Sequence, residues 1–159
     1  MGLNAAEAKA VARDDGPMIL SSTPEGYDAL VMADIARTRG GLSLFIARDG
    51  GRAQTFIDAM RFFAPEVECI LFPSWDCLPY DRIGPSPGVS AQRMAVLARL
   101  QAGLKGGKPA ILVAAAHAVL QRLPPPTALE RASYSAKPGA DVVIADLERY
   151  FAVNGYARA

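Results

Sequence analysis

Val67-Glu-Cys-Ile-Leu-Phe72 is an apolar run that leads directly into Pro73-Ser-Trp-Asp-Cys-Leu-Pro79-Tyr-Asp-Arg-Ile-Gly-Pro85-Ser-Pro-Gly88, and Val89-Ser90-Ala-Gln-Arg93 follows. The run has the length and composition of a buried strand. The stretch after it contains four prolines and two glycines before a helix opens at Ser90. A connection this long inside a compact domain is usually either functional or evidence against the element assignment. Trp75, Leu78, Tyr80 and Ile83 are large groups that favour burial, while the prolines fix φ and remove backbone donors. These features describe a rigid loop folded back over the end of a sheet and pinned by its aromatics.

Outward from that loop, the chain alternates apolar runs with amphipathic stretches. Met18-Ile-Leu20 reads as a short strand, and a helix spans Tyr27 to Arg39 until Gly40-Gly41 closes it. Leu42 to Ala47 is almost continuously apolar, as expected of a strand covered on both faces. The clearest helical periodicity follows, in Ala53, Phe56, Ile57, Met60 and Phe63, before Ala64-Pro65 ends it. Beyond the long loop, Ser90 is the expected N-cap of a helix with Met94, Leu97, Ala98 and Leu104 on one face. Gly106-Gly107 precedes a fourth strand from Ala110 to Ala116, and a short helix from Ala118 to Leu123 runs into Pro124-Pro-Pro126. Strands alternating with helices in this way predict an α/β fold, a parallel sheet of about four strands built from right-handed βαβ units.

The proline triplet is the expected boundary. Residues 1–16 form a lead-in, 17–126 the α/β domain, and 127–159 the start of a second α+β subdomain. In that last part a strand is expected over Arg131 to Ala136. Asp141 is expected to cap a helix carrying Val143, Leu147, Tyr150 and Phe151, with Asn154-Gly155 at its end. The abrupt stop beyond that helix reads as a cut within a longer protein.

Composition narrows the function. A net charge of +1 gives no basic footprint for nucleic acid. No apolar stretch approaches the roughly 20 residues needed to cross a bilayer, so no membrane association is expected. The first residues lack the apolar core of a secretory signal. Cys69 and Cys77 are the only cysteines, without metal-binding spacing or histidine partners, which fits a reducing cytoplasm and no zinc.

The turn after the first strand is where a nucleotide-binding α/β domain holds phosphate. A phosphate loop needs glycines for backbone wrapping, a Lys for the β and γ oxygens, and a Ser or Thr for Mg²⁺. This chain offers Thr23-Pro-Glu-Gly26-Tyr27-Asp28, with Tyr27 where the Lys would stand and Asp28 where the Ser or Thr would stand. Pro24 removes a donor, and Glu25 and Asp28 carry the wrong charge for an anion. Whether this is a vestigial phosphate loop or an ordinary turn with acidic residues in a first helical turn, no ATP binding is expected.

Other candidates point to structure. Asp76 and Asp81 flank prolines, where aspartate usually bonds nearby backbone, and no third ligand completes a metal set. His117 follows the fourth strand without a nucleophile partner in a recognisable motif. Trp75 and Tyr80, near Arg82 and Arg93, make a conceivable base-stacking platform, but they read better as anchors of the loop.

Trp75-Asp-x-Leu78-Pro79-Tyr80-Asp81, then a proline, then Ser90-x-x-Arg93, resembles the N-terminal region of bacterial transcription-repair coupling factors of the Mfd type. That region is similar to the excision-repair protein UvrB, and the weaker resemblance runs from about Pro17 to Tyr156. It implies half of a RecA/helicase-like domain with a decayed nucleotide site. It also implies a parent protein that is an ATP-driven DNA translocase, displacing stalled RNA polymerase and recruiting UvrA. ATP and Mg would then belong to a downstream motor, with no catalytic residue and no cofactor in this chain. DNA would be engaged through the parent, since Tyr80 to Ser90 is too short for the hairpin with which UvrB holds DNA. The alternatives are a small nucleotide-binding α/β enzyme, a UvrB-like DNA-binding module, and a stand-alone protein-interaction domain.

Overall fold

The computed structural model describes residues 16–17, 19–78, 82, 84–103, 108–132, 134 and 136–153. In chain order the elements are α1 (Tyr27–Arg39), β1 (Leu42–Ala47), α2 (Gly50–Phe63), β2 (Glu68–Phe72), α3 (Pro87–Gln101), β3 (Ala110–Ala115), α4 (Ala116–Val119), α5 (Pro126–Ala132) and α6 (Ile144–Val153). The three strands form one parallel sheet in the order β1-β3-β2. Leu42 and Glu68 both lie opposite Ala110, and Phe72 lies opposite Ala114. Parallel neighbours need crossover connections, and α2 and α3 supply them. This is the α/β architecture of a RecA/helicase-like half domain.

The pleat sorts side chains to two faces. Phe45, Ala47, Cys69, Ile111 and Val113 join α1 and α2 in the larger core, around Ala29, Ala33, Phe56, Ile57 and Met60. Phe45 and Phe56 stack there with ring centroids 3.6 Å apart. Phe72, Leu112 and Ala114 point the other way, onto Val96 and Leu97 of α3 and Ala118 of α4. The buried face of α1 is built of small residues, Ala29, Ala33 and Ala36 with Val31, which allows close packing on α2. Gly40 and Gly41, with φ of 66° and 67°, turn the chain from α1 into β1 in a conformation that side chains resist.

Several expectations are corrected. Ile19 and Leu20 form no strand and are exposed, Ile19 at 90%, so the described sheet has three strands rather than four. Met18 lies outside the described residues. Strand β1 is covered on one face only: Leu42, Leu44 and Ile46 are each about half exposed, because β1 is an edge strand and α3 lies over β2. Helix α3 starts at Pro87, with Ser86 as N-cap, instead of at Ser90. Proline is pre-organised for the first helical position, where its missing N–H costs nothing. The short helix after β3 occupies Ala116–Val119, earlier than expected. Where a strand was expected from Arg131, helix α5 runs from Pro126 to Ala132, for the same reason as at Pro87. Helix α6 begins at Ile144, beyond the expected Asp141 cap. The lead-in over residues 1–15, Leu104, Gly106-Gly107, and Asn154-Gly155 lie outside the described residues.

Candidate functional site

All three strands end on the same edge of the sheet, and the candidate residues gather there in two groups. In open α/β sheets ligands bind in the crevice at this edge.

The first group lies beside β1. Gly26, at φ 82°, caps α1 and lets the chain enter it from a turn closed by Tyr27 N–H donating to the Pro24 carbonyl at 3.1 Å. Asp28 then sits in the first turn of α1, where its Oδ1 accepts from Ala29 N–H at 3.0 Å. Its Oδ2 takes a charge-assisted hydrogen bond from Nη2 of Arg52, in the first turn of α2. Asp49 caps α2 by accepting from Arg52 N–H at 2.8 Å, and Arg48 Nε reaches its other oxygen at 3.0 Å. The Arg52 backbone N–H, followed by the charge of Arg48, holds the Asp49 carboxyl below its ordinary pKa. Thr23, Pro24, Glu25, Asp28, Arg48 and Arg52 surround an open depression of roughly 480 Å³ that abuts Phe45 to Ala47. Each arginine faces a carboxylate of the chain itself.

The second group ties down the long loop. Arg93 is 2% exposed, and its guanidinium carbon lies 4.2 Å from the Phe72 ring centroid and 4.3 Å from that of Trp75. Nη1 donates to the Pro73 carbonyl at 2.6 Å and to Gln121 Oε1 at 3.0 Å. The same Gln121 oxygen accepts from Trp75 N–H at 3.3 Å. Among the described residues no carboxylate pairs with Arg93, and desolvation lowers its pKa. Asp76 Oδ1 accepts from Ser86 N–H at 2.9 Å, closing the base of the loop, and Ser86 Oγ caps α3 by accepting from Val89 N–H at 3.4 Å. The aromatic surface that a stacked base would need on Trp75 is partly covered by the guanidinium.

Of the remaining motif residues, Leu78 is 74% exposed, and Pro79, Tyr80, Asp81 and Ile83 lie outside the described residues. His117 is exposed on α4. Cys69 and Cys77 are half-buried free thiols, and burial raises the pKa of Cys69. Among the described residues no group of three or more His, Cys, Asp or Glu is placed to hold a metal ion, and no helix is long and apolar enough to cross a membrane. Sequence reasoning missed Arg52 and Gln121. Arg52 reads as the end of the connection Arg48-Asp-Gly-Gly-Arg52 rather than as part of a helix, and Gln121 carries no motif.

A parallel sheet between two helical layers, with its candidate residues at the carboxyl edge, defines the class as a RecA/helicase-like half domain. Within that class, the chain is 28% identical over 138 residues to the transcription-repair-coupling factor of Haemophilus influenzae, an alignment covering 87% of this chain and 12% of that protein. The chain is thus similar to a region of that coupling factor and spans about an eighth of its length. No protein-family profile matches the chain, and no solved structure matches it.

Proposed function

We propose that this chain is a non-catalytic, UvrB-like scaffold module of a transcription-repair coupling factor acting in the cytoplasm. The observation that carries the reading is the similarity to a coupling factor along 87% of the chain. The state of the β1 crevice supports the non-catalytic part. Nucleotide phosphates need a Lys and a Ser or Thr at the strand-to-helix turn. Tyr27 and Asp28 stand there, and Asp28 carries negative charge into the crevice and engages Arg52. The module holds no nucleophile–base pair among the described residues. A small nucleotide-binding enzyme is disfavoured on the same grounds.

On this reading the parent is an ATP-driven DNA translocase that displaces stalled RNA polymerase and recruits UvrA for excision repair. ATP and Mg are handled by its downstream motor. Residues 17–126 form the scaffold, and 127–159 begin the subdomain that follows. The Trp75 loop is structural, and this chain itself has little or no affinity for DNA. The test is a chimera in which this chain replaces the matching region of the Haemophilus influenzae protein. Transcription-coupled repair of ultraviolet damage should persist. Loss of repair in cells holding normal amounts of soluble chimera would overturn the reading.

A further inference from the structure

The two edges of the sheet differ in kind. On one side β2 opens with Glu68, ion-paired to Arg99 of α3, so charge stands at that edge. On the other, β1 is Leu42-Ser-Leu-Phe-Ile-Ala47 in unbroken register with β3. It has no charge, proline or bulge, the devices that ordinarily keep an edge strand from pairing. Among the described residues only β3 pairs with it. Ala110 N–H donates to the Gly41 carbonyl at 2.9 Å. In a parallel ladder that register turns the backbone of Ser43, Phe45 and Ala47 toward β3. The N–H and C=O groups of Leu42, Leu44 and Ile46 are left on the free edge. The side chains of the same three residues are about half exposed and share the sheet face of Leu112 and Ala114. Open backbone groups and an apolar strip therefore run along one line.

We propose that this edge pairs with β1 of a second copy of the chain, antiparallel about a two-fold axis at Leu44. Leu44 then faces the partner's Leu44, and Leu42 faces the partner's Ile46. Residues opposed in this way exchange reciprocal N–H···O bonds and set their side chains on one face, so the two apolar strips merge. A shift of one residue would oppose free backbone groups with groups already bonded to β3. A shift of two would set Ile46 against Gly40 or Leu42 against Arg48. The register centred on Leu44 is the one that satisfies the whole edge. A six-residue strand falls short of the roughly 800 Å² per partner of a stable interface, so the dimer is weak, with a dissociation constant on the order of 100 µM. The inference concerns the open edge alone and stands apart from the coupling-factor reading.

Sedimentation equilibrium of the full chain from about 1 to about 1,000 µM measures the association. Wild type should pass from monomer to dimer and no further, since each copy has one such edge. L44K and L44E should each weaken the dimer at least about tenfold, by setting like charges opposite one another, and an equimolar mixture of the two should restore it. A wild-type chain that stays monomeric throughout, which leaves the edge to some other strand, overturns the proposal. So does growth beyond a dimer, a dimer that both variants keep, or a mixture that stays monomeric. Amide hydrogen exchange on the wild type needs no variant. The amides of Leu42, Leu44 and Ile46 should exchange freely in dilute solution and become protected on concentration, while those of Ser43 and Phe45 stay protected throughout. A dimer in which the three edge amides still exchange freely contradicts the pairing.

Discussion

The guanidinium of Arg93 lies 4.3 Å over the ring of Trp75, and one oxygen of Gln121 accepts from both Arg93 Nη1 and the Trp75 backbone N–H. A buried arginine without a carboxylate is costly to desolvate. Here two aromatic faces, the Pro73 carbonyl and Gln121 take the place of water, and they join the loop to α3 and to the segment after α4.

Removing that cation should loosen the loop. R93A should destabilise the chain by about 3 kcal/mol, from two desolvated cation–π contacts and the hydrogen bonds to Pro73 and Gln121, offset by the lifted desolvation cost. R93M should lose less, because it keeps the volume and needs no solvation. Urea unfolding followed by the fluorescence of Trp75, the sole tryptophan, measures both. A red-shifted native spectrum should accompany each variant.

Gln121 offers a test of opposite sign. Q121A should cost about 1–2 kcal/mol by stripping an acceptor from Arg93 and Trp75. Q121E puts a carboxylate beside the Arg93 guanidinium, which no carboxylate pairs among the described residues, and should restore or exceed wild-type stability, by about 1 kcal/mol. Its carboxyl would have a lowered pKa in the folded state. The added stability would be complete above the ordinary glutamate range and lost as pH falls through the folded value. Equal midpoints for Q121E and Q121A at neutral pH would contradict this account.

The loop closure predicts a local pH effect. The Ser86 hydroxyl and backbone N–H lower the pKa of Asp76, an exposed carboxyl. A depressed carboxylate stabilises above its unfolded value, and that contribution fades as pH falls through the folded one. In an NMR titration the Asp76 carboxyl should have a midpoint below that of an ordinary aspartate, with the Ser86 amide shift following it. In D76N the Ser86 amide should lose that titration.

The larger core depends on a stacked pair. Phe56 is fully buried against Phe45. F56A should cost about 3–5 kcal/mol, and F56L substantially less, in denaturant unfolding.

Local pattern made much of this fold legible. Tyr27–Arg39 and Leu42–Ala47 are bounded as the sequence predicts, since Gly40-Gly41 and the polar run at Arg48 end them unambiguously. Phe56, Ile57 and Met60 are buried as their period requires. Strand order is a different matter, because periodicity records which face is apolar and says nothing of which strand pairs with which. Strand β3 takes the centre by long-range pairing alone. The proline clusters misled at both Ser86-Pro87 and Pro126, where proline begins a helix instead of delaying it. At the site, Trp75, Asp76 and Arg93 were visible as a motif, but the partners that explain them were not. Arg93 reads as a polar helix residue until Phe72, Trp75 and Gln121 converge on it from separate elements. Arg52 likewise acquires meaning only when α1 brings Asp28 to it.

The proposed function requires that this module carry no working nucleotide site. Isothermal titration of MgATP into the wild-type chain tests it most directly. The account predicts no saturable heat across the micromolar range. A saturable isotherm with micromolar affinity, abolished by R52Q, would contradict it.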